Sequence, residues 1–249
     1  MARSTSPDWS SEIALLQKLM PMASEVHIVA GDALLRRFTA ASKKPGREQE
    51  AKVLAVRLIA EAMSALEDFG ALCRAVRLRG DRGIMWHYRY YGTREDQASP
   101  QRVADIYKEI VKENFPWNYL RLPWPEEYFN NPDADDPNLI EGLSLVMGAS
   151  AKWHQAKGFL KVYNRAKHGF TVLDGPGDSA YALAEVSQSG QAKWLRINKC
   201  TEWPPRAKMV IATCADGWRQ LAGLVILLYE HSYDLNLKPD PSLFPPARG

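Results

Sequence analysis

A segment in the second half of the chain carries cationic, amide and imidazole side chains at helical spacing. The set recurs at steps of three and four residues and comprises Lys157, Lys161, Asn164 or Arg165, and His168. Residues so spaced share one face of an α-helix. Imidazole is suited to moving protons near neutral pH, and Lys or Arg neutralises phosphate oxygens. The face therefore favours contact with a phosphodiester, and the alternative is an ordinary solvated surface that complements the helix dipole.

The helix that positions this segment is expected to begin at Asp136-Pro137 and to end at Gly169, because glycine is typical of helix C-termini. His154 extends the cationic line by one turn toward the start of the helix. A neighbouring apolar stripe is expected to face the core and consists of Trp153, Ala156, Leu160 and Tyr163.

Other apolar patterns predict further helices. Residues 48–77 carry one continuous stripe at steps of three and four, typical of the main helix of a bundle. In the N-terminal run, Pro21 is expected to kink or end the helix. The pair Ser99-Pro100 is typical of a helix start. Residues 206–233 are apolar on all sides, which predicts a central, buried helix.

Alternating segments after Gly169 predict short strands at residues 170–173, 181–186 and 193–197. The expected fold class is therefore mainly α, a helical bundle with a small β-hairpin or three-strand insertion near residues 170–198.

We expect the bundle to form a single helical domain over residues 1–249. A loop rich in proline and aromatic residues, at 114–138, is expected to pack over the core rather than to form a free tether. The proline-rich tail at 234–249 is expected to be loose.

A second cationic region, between residues 74 and 94, interleaves arginines with aromatic rings. Its arginines are Arg74, Arg77, Arg79, Arg82, Arg89 and Arg94, and its rings are Trp86, His87, Tyr88, Tyr90 and Tyr91. Basic side chains follow a phosphate backbone while aromatic rings stack on unpaired bases. We predict RNA contacts from Arg74, Arg77, Arg82 and Arg89, together with Lys167 of the first segment. The alternative is that the rings pack into the bundle and the arginines extend to water.

The composition of the 249-residue chain limits other classes of function. The formal charge of +3 is too small to indicate nucleic-acid binding by itself. Three cysteines without a Cys-x-x-Cys pair favour a reducing, cytoplasmic setting over a disulfide framework or a zinc site. The longest apolar run, Leu221 to Tyr229, has nine residues. A bilayer span needs roughly 20, so we expect no membrane partner.

Motifs of several enzyme classes are missing from the sequence. It contains no phosphate-cradling glycine loop, no His-Glu-x-x-His and no Gly-x-Ser-x-Gly. The acidic run at residues 133–136 fails the EF-hand spacing because Pro137 occupies a ligand position. We therefore expect no metal and no cofactor.

The string Tyr163-Asn164-Arg165-Ala166-Lys167-His168-Gly169-Phe170, followed at once by a strand, resembles the terminal-helix signature of the HEPN superfamily. The long earlier helix, with Ala65-Leu66-Glu67-Asp68-Phe69-Gly70, is similar to the preceding helix of that fold. The resemblance covers residues 48–233, and its specific part is about eight residues long. It implies a small helical bundle that pairs as a homodimer. Many members are metal-independent endoribonucleases in which Arg and His of two protomers meet at the interface.

In that mechanism the ribose 2′-hydroxyl attacks the adjacent phosphate and leaves a cyclic phosphate. By resemblance, His168 is the general acid/base, Lys161 and Arg165 hold the phosphate, and Asn164 positions the ribose or phosphate. Active members have a longer gap between Arg and His than the two residues that separate Arg165 from His168. Lys161, with six intervening residues, stands at the family's spacing but lacks the guanidinium fork.

Two functional expectations follow. The first is a protein that acts on or binds RNA: either the site is rebuilt from these residues as an endoribonuclease, or the domain has lost nuclease activity and only binds. The alternative is a non-catalytic helical module that binds a protein partner or a nucleotide through the same surface. The family alone adds a setting in stress or phage defence, as in toxin–antitoxin systems with a protein inhibitor.

Overall fold

A computed structural model describes residues 7–80, 82–122, 138–155 and 172–230. The helices in these ranges are α1 (Trp9–Ser42), α2 (Glu48–Leu78), α3 (Ile84–Arg89), α4 (Val103–Lys112), α5 (Asn138–Gln155) and α6 (Pro204–Glu230). The strands are β1 (Val172–Asp174), β2 (Ser179–Val186) and β3 (Ala192–Asn198), and short 3-10 helices lie at Pro116–Leu120 and Cys200–Glu202. The protein is mainly α-helical with a small β insertion, as the sequence predicts.

Helix α2 confirms the strongest prediction from periodicity. It spans Glu48–Leu78, against the expected 48–77. Its apolar stripe is buried along its length, through Val56, Ile59, Met63, Leu66, Phe69, Cys73 and Val76. The three- and four-residue spacing keeps these side chains on one face of the helix.

Helix α1 continues through Pro21, so this proline does not end the helix, and the alternative of a kink stays a prediction. Proline lacks the N–H that would bond the carbonyl of Gln17. Both residues are exposed, so water can bond that carbonyl instead. The Ser24 hydroxyl donates a hydrogen bond to the Pro21 carbonyl at 3.1 Å, within the continuing helix.

Helix α4 begins at Val103, three residues after the predicted start at Pro100. The Ser99-Pro100 peptide is cis, and Pro100 is buried. The Pro100 carbonyl accepts a hydrogen bond from Arg74 Nε at 2.5 Å. This contact uses the Pro100 carbonyl for tertiary structure rather than for the first helical turn.

The three strands form an antiparallel sheet in the order β1-β2-β3. Leu173 pairs with Tyr181 across β1 and β2, and Leu183 pairs with Trp194 across β2 and β3. The predicted strands are confirmed where they lie in the described residues, and residues 170 and 171 lie outside them.

The chain divides into two compact units. The first consists of Met1–Ser24, Glu67–Ala151 and Asp216–Gly249, and the second of Glu25–Leu66 and Lys152–Ala215. Because α1, α2, α5 and α6 each contribute to both units, the division does not fall in a linker. The expectation of one domain stays a prediction.

In the first unit, α2, α5 and α6 approach closely at Gly217. A methyl group at this position would lie 2.6 Å from both Phe69 and Val146. Any larger residue would therefore have to displace these side chains. The 3-10 helix Pro116–Leu120 belongs to this unit, and its Trp117, Tyr119 and Leu120 are fully buried. This part of the aromatic loop packs as predicted, whereas residues 123–137 lie outside the described ranges.

In the second unit, α1 and α6 touch at Gly31, where a methyl group would lie 2.8 Å from Ile211. The ion pair between Asp32 and Lys208, at 2.7 Å, joins the same two helices. Lys52 of α2 is buried and donates to the Gly175 carbonyl at 2.8 Å, which ties α2 to the turn between β1 and β2.

Within the described part of the chain, one helical stretch, Cys200–Glu230, is long and apolar enough to cross a membrane by length and composition. Most of its apolar stretch is buried inside the protein, including Leu221, Leu224 and Val225. Burial of this kind is what a central core helix shows. The remaining tail, from residue 231 onward, lies outside the described residues.

Candidate nucleic-acid interface

The predicted catalytic residues lie outside the described ranges. They are Lys161, Asn164, Arg165 and His168, and Lys157 and Lys167 lie there with them. His154, at the described end of α5, is only 2% exposed. The first member of the predicted cationic line is therefore in the interior rather than on a solvated face.

Arg74, predicted to contact RNA, lies in the interior of the first unit and is 0% exposed. Its guanidinium donates to Asp96 Oδ2 at 2.7 Å and to the carbonyls of Ala98 and Pro100, each at 2.5 Å. These acceptors occupy Nε and both terminal nitrogens. Arg74 thus fixes residues 96–100 against α2, and its donors are not presented to a phosphate.

Asp96 and His87 complete this buried cluster. The ring nitrogen Nδ1 of His87 lies 3.0 Å from Asp96 Oδ2. Burial by itself would raise the pKa of Asp96, but hydrogen bonds from Arg74 and His87 outweigh it and lower the pKa to about 2. The carboxylate is therefore ionised at neutral pH and compensates the buried charge of Arg74.

Arg77 and Arg79 also serve the protein interior. Arg77 lies over the ring of Tyr119, with 4.6 Å from its guanidinium carbon to the ring centre, and its terminal nitrogen is 3.7 Å from Glu109. Arg79 is buried and donates to the carbonyls of Val76, Leu120 and Arg121 at 2.9, 3.2 and 2.7 Å. It thereby satisfies backbone acceptors at the ends of α2 and of the following 3-10 helix.

The remaining arginines of the run flank an aromatic pair on α3. Trp86 and Tyr90, four residues apart, place their ring centres 5.1 Å from each other. Arg82 lies over the indole with its guanidinium carbon 4.3 Å from the ring centre, and Arg89 lies 5.4 Å from the centre of the Tyr90 ring. Both rings are half-buried and both arginines are exposed. We call Arg82, Trp86, Arg89 and Tyr90 the α3 platform.

The platform is held from beneath by buried contacts. Glu12 of α1 accepts the backbone N–H of Met85 through Oε2 at 2.7 Å, at the first turn of α3. Burial raises the pKa of this carboxyl. The preceding Gly83 has φ 87°, and a methyl group there would lie 2.6 Å from the Glu12 carboxyl carbon. Only glycine leaves room for this approach in that backbone conformation.

The opposite side of α3 faces the core. His87 is buried and meets the edge of Trp86, with ring centres 5.0 Å apart. Tyr88 packs edge-on against Trp218 of α6, with ring centres 5.8 Å apart, and burial raises the pKa of its phenol. The helix therefore turns His87 and Tyr88 inward while Trp86, Arg89 and Tyr90 stay at the surface.

Three exposed arginines of this run have no ion-pair partner within the described residues. Arg82, Arg89 and Arg94 are exposed, and none of them forms an ion pair with another described residue. Exposed guanidinium groups without carboxylate partners are suited to bind phosphate oxygens. The described residues contain no group of His, Cys, Asp and Glu that could hold a metal ion.

Sequence reasoning missed the residues that support the platform. Glu12 is 73 residues from Met85 along the chain, and no local pattern links them. Asp96 gave a weak signal, as an acidic residue close to a strongly basic run. Arg79 was included in the basic run, but its spacing does not distinguish a buried arginine that bonds carbonyls from the exposed arginines beside it.

Comparisons of the chain with protein-family models, with curated proteins and with solved structures give no match. The HEPN resemblance therefore rests on the sequence string alone and stays a prediction.

Proposed function

We propose that the protein binds single-stranded RNA through the α3 platform. The observation that carries the proposal is the stack of Arg82 on Trp86 beside the Trp86–Tyr90 pair, at 4.3 and 5.1 Å. Aromatic rings and guanidinium planes are the two surfaces on which unpaired bases stack in proteins. The platform presents both between Arg82 and Tyr90, and the six-residue helix α3 carries Trp86 and Arg89.

Charge supports the same ligand. Arg82 and Arg89 supply donors for phosphates beside the rings, and Arg94 is a further exposed arginine four residues after Tyr90. None of the three has a carboxylate partner in the described residues. A duplex would present its bases only through its grooves, whereas a single strand exposes their faces. The buried positions of Arg74 and Arg79 remove them from this proposal, and Arg77 contributes to it through packing only.

Rigidity supports a binding role as well. The backbone N–H of Tyr90 bonds the Trp86 carbonyl at 3.0 Å, and the Thr93 hydroxyl donates to the Tyr90 carbonyl at 2.8 Å. Together with Glu12 at the first turn, these contacts fix both ends of α3. Side chains on a fixed support lose less freedom when a ligand binds.

The proposal is tested by titrating labelled single-stranded RNA with wild-type protein and with Trp86→Ala. Loss of one stacked base costs about 1–3 kcal/mol, so the Kd is expected to rise about 5- to 150-fold. Trp194→Ala is the matched control, because Trp194 is 38% exposed on β3 in the other unit. Its Kd is expected to equal that of the wild type.

Two results would remove the proposal. One is a wild-type protein that fails to bind RNA at low salt. The other is an equal loss of affinity in Trp86→Ala and Trp194→Ala. Single-stranded DNA of the same sequence is measured in parallel, and stronger binding of DNA than of RNA would contradict the choice of ligand.

Cleavage of the bound RNA is a separate part of the proposal and depends on His168, Lys161 and Arg165. The sequence string supports it, and these residues lie outside the described ranges. A protein that binds RNA without cleaving it would be the domain without nuclease activity that the spacing of Arg165 and His168 leaves open.

A further inference from the structure

Strand β3 forms one edge of the three-stranded sheet in the second unit. It pairs with β2 over Ala192–Asn198, and the sheet order β1-β2-β3 leaves its other side without a partner strand among the described residues. In an edge strand, the backbone groups of alternate residues point away from the sheet. β3 therefore presents a row of N–H and C=O groups that can pair with a further strand.

This edge lacks the features that commonly prevent strand addition. The strand at the opposite edge, β1, has three residues, whereas β3 has seven. β3 contains neither proline nor glycine, and the bulge between Leu183 and Glu185 lies in β2. Short length, proline and bulges are the usual devices that block pairing at an edge. The edge of β3 is thus long enough, and regular enough, to accept an extended peptide.

The side chains of β3 divide between the interior and the solvent. Ile197 is buried and Leu195 is half-buried, so the face that they share turns toward the protein. Trp194 and Arg196 share the other face, where the indole is 38% exposed and the guanidinium is exposed as well. A strand added to β3 would place alternate side chains beside these two groups.

The charge on this face indicates the chemistry of the added strand. Arg196 lies opposite Tyr181 in the register with β2, and its guanidinium donates to the Ser179 hydroxyl at 3.3 Å. It forms no ion pair with a described carboxylate. A carboxylate is the side chain that binds a guanidinium best. Lys193 lies opposite Glu185 on β2, and we assign it no contact with the added strand.

A second copy of β3 does not supply this chemistry. The strand contains two cations, Lys193 and Arg196, and no acidic residue. Pairing of two such strands would add no attraction between their side chains, and lysine on an edge strand discourages self-association. The complementary partner is therefore a segment of different sequence.

We propose that β3 binds an extended acidic peptide segment of another protein by strand addition. The segment places a carboxylate beside Arg196 and, two residues away, a large apolar side chain beside Trp194. Main-chain hydrogen bonds along the edge supply the affinity, and the two side-chain contacts supply the selectivity. The inference uses residues of the second unit alone and does not depend on the α3 platform.

The test titrates the full chain with synthetic peptides that contain Glu-Thr-Leu between threonine and valine residues. The order Glu-Thr-Leu suits an antiparallel strand and Leu-Thr-Glu a parallel one, so both are measured. Binding of one of them is expected to slow the exchange of alternate β3 amides with solvent, as followed by nuclear magnetic resonance. These are the amides that point away from β2 in the free protein.

Methylation of the peptide tests strand pairing without changing the protein. Methyl groups on every second amide nitrogen remove the donors along one side of an extended peptide, and the same pattern shifted by one residue removes those along the other side. One pattern is expected to abolish binding. The other is expected to leave the Kd near that of the unmodified peptide.

A double-mutant cycle tests the acidic contact. Arg196→Gln in the protein and glutamine for glutamate in the peptide are each expected to raise the Kd about two- to fivefold, the range for an exposed ion pair, and together to raise it no further. Arg206→Gln, at an exposed arginine of α6 in the same unit, is the matched control and is expected to leave the Kd unchanged. Circular dichroism verifies that both variants are folded.

Several results would overturn the proposal. One is a wild-type protein that binds neither peptide at low salt, and another is an equal effect of the two methylation patterns. Additive effects of Arg196→Gln and the glutamine peptide would remove the acidic partner. Protection of all β3 amides without peptide would show that the edge is already covered, by a second copy if the protection rises with protein concentration. Protection by single-stranded RNA would assign the edge to nucleic acid instead.

Discussion

Arg82 holds its guanidinium carbon 4.3 Å from the centre of the Trp86 ring at the surface, whereas Arg74, eight residues earlier, buries its guanidinium against Asp96 at 2.7 Å. Two residues of the same type in one basic run thus have opposite surroundings. Their partners explain the difference, since Arg74 faces a carboxylate and two carbonyls and Arg82 faces an aromatic ring and water.

Arg74 and Arg82 are expected to differ in their effect on stability. Arg74→Met leaves Asp96 buried without its partner, and breaking a buried pair in this way costs about 3–5 kcal/mol. Arg82→Gln, at an exposed position, is expected to change the free energy of unfolding by less than about 0.5 kcal/mol. Denaturant unfolding of both variants measures the difference, and equal effects would show that this division is wrong.

Asp96 is expected to make the free energy of unfolding depend on pH. Its pKa is about 2 in the folded protein and 3.8 ordinarily, so the unfolded chain binds more protons between these values. The stabilisation of the folded protein by ionised Asp96 is complete at pH values above the ordinary pKa of 3.8. It is lost as the pH falls through the pKa of about 2 that Asp96 has in the folded protein. The difference in unfolding free energy between wild type and Asp96→Asn is expected to shrink by about 2 kcal/mol between pH 6 and pH 2. A constant difference across that range would contradict the lowered pKa.

The slope of RNA affinity against salt concentration is expected to depend on the number of phosphates that the α3 platform contacts. For single strands, each phosphate contact contributes about 0.7 to the slope of log K against log salt. Arg82→Gln with Arg89→Gln is therefore expected to lower the slope by about 1.4. Lys108→Gln with Lys112→Gln, two exposed cations on α4, is the matched control and should leave the slope unchanged.

His168 provides the test for catalysis. If the sequence string marks an endoribonuclease site, wild-type protein cleaves RNA in the presence of a metal chelator and yields cyclic phosphate ends. His168→Ala is expected to abolish that cleavage while the RNA Kd stays within about twofold of the wild-type value. Absence of cleavage by the wild type, or equal cleavage by both proteins, would remove the nuclease and leave the binding module.

Long apolar periods made much of the fold predictable. The apolar stripe of residues 48–77 predicts α2, and the all-round apolar character of residues 206–233 predicts the buried helix α6, because apolar side chains are buried in a folded protein. Local turn chemistry was less informative at Pro21 and Pro100. Solvent exposure lets α1 continue through the first, and a hydrogen bond from Arg74 holds the carbonyl of the second.

The candidate interface was predictable only as a region. Alternation of arginine and aromatic residues indicated residues 74–94, but spacing could not separate Arg82 from Arg74. The separation depends on Asp96 and the carbonyls of Ala98 and Pro100, which accept from Arg74, and on Glu12, which bonds the first turn of α3; these groups are far away in sequence or belong to the backbone. Contacts of this kind carry no periodic signal, because they are formed between elements rather than within one.

The most direct test of the RNA platform is ultraviolet cross-linking of the protein to uridine-containing single-stranded RNA, followed by mass spectrometry of the peptides. We predict a cross-linked peptide that contains Trp86 and Tyr90, and its loss in Arg82→Gln with Arg89→Gln. Cross-links that fall only elsewhere in the chain, or that persist unchanged in this variant, would contradict the assignment of RNA to α3.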